Sequence, residues 1–245
     1  MRWNVTSSWQ LYVIVDRSAS GHRDLVDLAA AAIRGGADAI QLRDKTASRD
    51  LLLDEARRLL PLARAAGIPL IINDWAKTAQ DAGAGGVHLG QDDISIREAR
   101  RILGPLSLIG KSTHSLEQAL AAQAEGADYI GLGPIFPTPT KPGVQSVGTA
   151  LIAQVAPRVR VPIVCIGGID AANARTVVEA GAACIAVVRA VCSAPDPESS
   201  TRNLKRILVQ STRQEGETSP ASLVSGQRGR GKPEEGETSP AEAGR

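Results

Sequence analysis

Short apolar runs rich in Val and Ile alternate along this chain with longer segments of Ala, Leu and Arg. Eight of the short runs read as strands: 11–15, 38–43, 69–73, 86–89, 106–110, 128–133, 162–166 and 183–188. Near-continuous apolar character suits strands buried on both faces. Between them, segments such as 24–35, 49–66, 94–103, 115–126 and 172–181 carry helical periodicity, several closing on a glycine. Ser115-Leu116-Glu117-Gln118 has the form of a capping box. Strand–helix alternation of this kind predicts right-handed βαβ units and a parallel sheet.

Polar residues decide between an open and a closed sheet. They gather at the C-terminal ends of at least six strands, whereas a doubly wound sheet concentrates its ligand signal at one switch point. No G-x-G-x-x-G follows the first strand. The expected class is therefore α/β, a (β/α)8 TIM barrel, and the 245 residues fit one such domain of about 250. The barrel domain is expected over 1–208. Residues 209–245 turn rich in Glu, Gly, Ser, Arg and Pro, and repeat Glu-Gly-Glu-Thr-Ser-Pro-Ala from Glu215 and again from Glu235. Such a segment buries too little apolar surface to offset its ordering entropy, so a disordered low-complexity tail is expected.

Aromatic residues make up only 2% of the chain, so the core is expected to be built from Ala, Val, Ile and Leu. The net charge of +2 is too small to argue for nucleic acid or a membrane surface as partner. Cys165, Cys184 and Cys192 show no disulfide or metal spacing and read as buried small hydrophobes. No apolar run is long enough to span a bilayer and no leader pattern opens the sequence, so a cytoplasmic protein is expected. Phosphorylated small molecules are the expected partners; homo-oligomer formation stays open.

The chemistry lies in the strand-end runs. In Gln41-Leu42-Arg43-Asp44-Lys45, alternate residues share a face, so Gln41, Arg43 and Lys45 would project together toward an anionic ligand. A surface salt bridge through Asp44 is the plainer alternative. Asn73-Asp74 and Asp93 end two further strands. Mg²⁺ commonly takes one or two carboxylates plus water and phosphate oxygens, so Asp74 and Asp93 are candidate ligands; both also precede helices and could serve as N-caps. Ser112 and His114 follow the fifth strand. Ser112 could donate to a phosphate or a ring, and His114 could act as acid–base or simply anchor the next helix. His88, inside a strand, reads as a hydrogen-bonded core histidine. Thr138, Thr140 and Lys141 in a Pro-constrained loop suit phosphate capture, as do Gly167-Gly168 after the seventh strand and Val188-Arg189 at the end of the eighth.

In this order, the runs 41–45, 72–74, 86–93, 110–115, 128–141 and 166–169 resemble the thiamine phosphate synthase family over roughly residues 11–208. The resemblance implies a TIM barrel joining 4-amino-5-hydroxymethyl-2-methylpyrimidine diphosphate to 4-methyl-5-(2-phosphoethyl)thiazole, with release of pyrophosphate. By the family's pattern Asp74 and Asp93 would hold Mg²⁺. Gln41, Arg43, Lys45, Asn73, Ser112 and Lys141 would bind the pyrimidine diphosphate, with Arg43, Lys45, Lys141 and Ser112 as the catalytic set. Thr138, Thr140, Gly168, Val188 and Arg189 would bind the thiazole phosphate. Two positions depart from the pattern: Trp75 stands where the family usually has Arg, and Arg189 where it usually has Ser. Two other readings stay open: a thiazole tautomerase using His114, and a non-catalytic barrel that binds thiamine phosphate.

Overall fold

The computed structural model describes residues 9–140 and 143–218. Eight parallel strands close in sequence order into a barrel. They are β1 (Leu11–Asp16), β2 (Ala39–Arg43), β3 (Leu70–Asn73), β4 (Gly86–Leu89), β5 (Leu108–Thr113), β6 (Tyr129–Leu132), β7 (Ile163–Ile166) and β8 (Cys184–Val187). The helices are α1 (Leu25–Arg34), α2 (Arg49–Ala65), α3 (Ala76–Ala82), α4 (Ile96–Leu103), α5 (Leu116–Ala124), α6 (Ala150–Val155), α7 (Ala174–Glu179), α8 (Arg189–Cys192) and α9 (Pro197–Thr218). β1 pairs with both β2 and β8, which completes the ring. None of the described helices is long and apolar enough to cross a membrane.

The alternation within each strand sorts side chains into two cores. On β1, Leu11, Val13 and Val15 face outward and pack with the helices, while Tyr12 and Ile14 face the barrel interior. The outer core is aliphatic, as the composition predicts. The floor of the barrel is different: Trp9, Tyr12 and Tyr129 pack there with ring centroids 5.8–6.1 Å apart. Few aromatics are present, and this cluster concentrates them at one place.

β5 continues to Thr113, three residues beyond its expected end, so Lys111, Ser112 and Thr113 belong to the strand rather than to a following loop. Gly110 and Gly131 face the interior, and their missing side chains make room for others. A Cβ at Gly110 would lie 2.2 Å from the Tyr129 ring and 2.5 Å from His88 Nδ1. At the opposite end of the barrel from the strand C-termini, Asp38 accepts from the amides of Gln10 and Leu11, each at 2.8 Å, and from Lys205 Nζ of α9 at 2.6 Å. Leu204 and Leu208 of the same helix are buried. One compact unit ends at Ser211. The helix itself runs past the boundary expected at Leu208 and reaches Thr218. The rest of the expected tail, 219–245, lies outside the described residues.

Candidate active site

Asp74 and Asp93 lie at the C-terminal mouth of the barrel, just beyond β3 and β4. Neither caps a helix. The N-cap of α3 is Trp75, and that of α4 is Ser95, whose Oγ accepts from Glu98 N at 3.1 Å. Asp74 adopts a left-handed backbone with φ 64°, which a short polar side chain tolerates. Its amide donates to His88 O at 2.8 Å. Asp93 turns back and accepts from Gly90 N at 2.6 Å. The Asp74 carboxyl titrates above its usual range, first through burial, then through the charge of Asp93 and a hydrogen bond with it; Lys45 opposes the shift. The two acids are therefore close enough to share a proton, or a cation. Among the described residues no group of three His, Cys, Asp or Glu side chains converges. A pair of carboxylates leaves coordination positions for water and phosphate oxygens, the usual arrangement for Mg²⁺.

The cations beside this pair are themselves held by acids. Arg43 pairs with Asp16, which is fully buried and also accepts from Ser18 Oγ and from Ala19 N at 3.1 Å. Lys45 Nζ lies 3.3 Å from Asp74 Oδ2. Asp44 is a buried anchor rather than a surface partner. It accepts from Thr46 N and Oγ1 at 2.8 and 2.7 Å, from Ala47 N at 2.9 Å and from Arg17 Nε at 3.2 Å. Asp44 thus fixes the turn that carries Lys45. Lys141 lies outside the described residues.

Behind the mouth lies a cavity of about 470 Å³. It gathers Gln41, Arg43, Asn73, Ser112, Thr138, Thr140, Gly168, Val188 and Arg189. Lys45, Asp74 and Asp93 do not line it. Tyr12 and Tyr129, polar residues with no role in the sequence reading, also line it, together with His88. His88 is hydrogen-bonded as expected, through Nδ1 to Tyr129 OH at 3.2 Å and through Nε2 to Ser112 Oγ at 3.0 Å. His114 also lines the cavity. Its Nδ1 bonds the Gly133 carbonyl and its amide donates to Gln118 Oε1 at 2.8 Å. Gln118 N in turn donates to Ser115 Oγ at 3.2 Å, so the box at the start of α5 reaches one residue further back than its usual form.

The far wall of the cavity is built on close backbone contact. Gly167 and Gly168 both have positive φ, 103° and 62°. A Cβ on Gly168 would sit 2.6 Å from Pro137 O. The loop after β6 is pinned alongside by Ile135 N to Ile166 O at 2.8 Å and Phe136 N to Gly167 O at 3.0 Å. Gly168→Ala is expected to cost about 1–3 kcal/mol of stability and to weaken phosphate binding, as read by urea unfolding and by calorimetry. β8 ends at Val187, so Val188 is the N-cap of α8 and Arg189 opens that helix, one step later than the sequence suggests.

A family profile described as thiamine monophosphate synthase matches residues 11–191. The chain belongs to that family. It is 47% identical over 201 residues to the thiamine-phosphate synthase of Roseiflexus castenholzii, covering 82% of this chain and 88% of that protein. The thiamine-phosphate synthase of Shouchella clausii is 48% identical over 197 residues, covering 80% and 94%. Among solved structures, a thiamine phosphate pyrophosphorylase from Pyrococcus furiosus superposes with a TM-score of 0.77 at 36% identity, covering 82% of this chain and 96% of that one. Thiamine phosphate synthase family membership makes the chain a transferase of thiamine biosynthesis. The two departures from the family pattern both stand at the mouth: Trp75 is 53% exposed beside Asp74, and Arg189 is exposed on the cavity wall.

Proposed function

We propose that this cavity joins an aminopyrimidine methyl diphosphate to a thiazole phosphate, and that Asp74 and Asp93 hold the Mg²⁺ of that reaction. The observation that carries the reading is the facing pair of acids at the rim of a ring-sized cavity lined by Gln41, Arg43, Asn73 and Ser112. When bound, Mg²⁺ offsets negative charge on the departing diphosphate. Arg43, Lys45 and Lys141 share that task. The C–O bond to the ring CH₂ breaks with its electron pair leaving on the diphosphate, because the electron-rich aminopyrimidine delocalises the positive charge. The thiazole nitrogen then donates its lone pair to the same carbon, giving thiamine phosphate. The closed barrel holds the two rings together and keeps water from the cation. Thr138, Thr140, Gly168, Val188 and Arg189 hold the thiazole phosphate. Phosphate esters do not cross bilayers unaided, which supports a cytoplasmic site of action. Homo-oligomerisation is compatible with all of this.

The test is direct. Protein incubated with both precursors and Mg²⁺ should release thiamine phosphate and pyrophosphate in equal amounts, and EDTA or omission of either precursor should stop both. Absence of coupled product would sink the reading. A tautomerase would instead keep its activity in EDTA and lose it in His114→Ala. Arg189→Ser should weaken thiazole phosphate binding about tenfold, the scale of one charge-assisted hydrogen bond. Unchanged affinity in calorimetry would remove Arg189 from the phosphate site.

A further inference from the structure

Arg17 stands just past β1 and does not line the cavity, yet its guanidinium joins three separate segments. Nε donates to Asp44 Oδ2 at 3.2 Å, Nη1 to the Arg23 carbonyl at 3.3 Å, and Nη2 to Glu55 Oε1 of α2. Its own amide donates to Arg43 O at 3.1 Å, which ties its backbone to the end of β2. Asp44 and Glu55 are both buried. Glu55 Oε2 has no hydrogen-bond partner among the described residues, so Arg17 is the group that compensates this acid for leaving water. An aliphatic side chain at 55 would pack against the barrel without that desolvation cost. What the acid adds is direction: it fixes where the fork of Arg17 points.

The two oxygens of Asp44 have different duties. Oδ1 closes the turn on itself, accepting from Thr46 N, Thr46 Oγ1 and Ala47 N. Oδ2 takes Arg17. The first gives the turn its shape, and the second sets its direction relative to β1 and α2. Lys45 leaves from this turn, beyond the last residue of β2. Its side chain is 57% exposed, so little packs along the stem, and the backbone beneath decides where the ammonium points. That ammonium lies 3.3 Å from Asp74 Oδ2. Arg43, on the strand itself, has its own counter-ion in Asp16. The two cations at the end of β2 are thus aimed by different buried acids.

We propose that Arg17 is a positioning residue for the coupling reaction: braced on Glu55, it holds the Asp44 turn so that Lys45 meets the diphosphate. The inference rests on the proposed function in taking a diphosphate as the anion bound beside Asp74. The effect of Arg17 runs through Lys45, so the diphosphate feels it and the thiazole phosphate, assigned to the loops after β6, β7 and β8, does not.

The experiment is a double-mutant cycle read by binding. Calorimetry would measure pyrophosphate in the presence of Mg²⁺, and separately the thiazole phosphate, on the wild type, Arg17→Met, Lys45→Met and the two combined. Arg17→Met and Lys45→Met should each weaken pyrophosphate binding about tenfold, and the combination should be no worse than Lys45→Met alone. Thiazole phosphate affinity should stay unchanged throughout. Arg17→Met strands the Glu55 carboxylate; Arg17→Met with Glu55→Met removes both charges together, should show the same tenfold loss, and keeps the test alive if the single variant fails to fold, with melting temperature as the check. Losses that add, or a parallel loss of thiazole phosphate affinity, are what a merely structural arginine would give, and either overturns the proposal. So does unchanged pyrophosphate binding in the Arg17 variants, or a wild type that does not bind pyrophosphate. A wild type that shows the expected cycle but forms no thiamine phosphate would keep the role of Arg17 in anion binding and remove the proposed reaction.

Discussion

Replacing Asp93 with Asn is expected to lower kcat/KM for the coupling reaction by about 10²–10³-fold, the cost of losing one preorganised electrostatic contribution to the departing charge. The protein without Mg²⁺ should be no less stable and should melt slightly higher, because Asp93 disfavours ionisation of Asp74 and the two acids repel each other when ionised. Asn at 93 removes that repulsion and keeps an oxygen to accept from Gly90 N. Functional acids held against their own repulsion are a common stability cost of an active site. Thermal melts with and without Mg²⁺ separate the two effects. Mg²⁺ should raise the melting temperature of the wild type and leave the variant unmoved. A variant that still gains stability from Mg²⁺ would place the ion elsewhere.

Asp16→Ala should be the costliest change among the residues that support the site, at about 3–5 kcal/mol, the usual result of stripping one partner from a buried ion pair. Asp16 is fully buried and holds Arg43 while accepting from the turn at Ser18 and Ala19. Its loss strands the guanidinium and loosens the turn together. Asp16→Asn separates these roles, because the amide oxygen can still accept from Ala19 N while the charge is gone. Denaturant unfolding should rank wild type, Asn and Ala in that order. KM for the diphosphate substrate should rise in both variants as Arg43 loses its fixed direction. Equal stability of all three proteins would mean that Arg43 needs no counter-charge.

The barrel was legible because each strand carries its own apolar run and its own polar ending, both visible within a few residues. The pair Asp74 and Asp93 was legible for the same reason, since each ends a run and the runs are adjacent. Ser112 was read as a loop residue because Lys111-Ser112-Thr113 is polar, a pattern that ordinarily marks solvent. Here the polarity of Ser112 faces a cavity inside the ring, so the strand continues through it. Tyr12 and Asp16 were passed over because β1 looks like one uniform core strand. Their partners are Tyr129 and Arg43, far away in sequence, and no local pattern reports such pairings. Helix α3 has seven residues and no side-chain cap, too little periodicity to announce itself.

A cylinder wound from a single chain has to be fastened at the foot of its first stave. Asp38 does the fastening, gripping the amides that lead into β1 with one hand and Lys205 of the closing helix with the other. That rivet sits at the base, a barrel's length from the acids at the rim. Taking Lys205 away would therefore loosen the foundation and leave the chemistry at the top undisturbed.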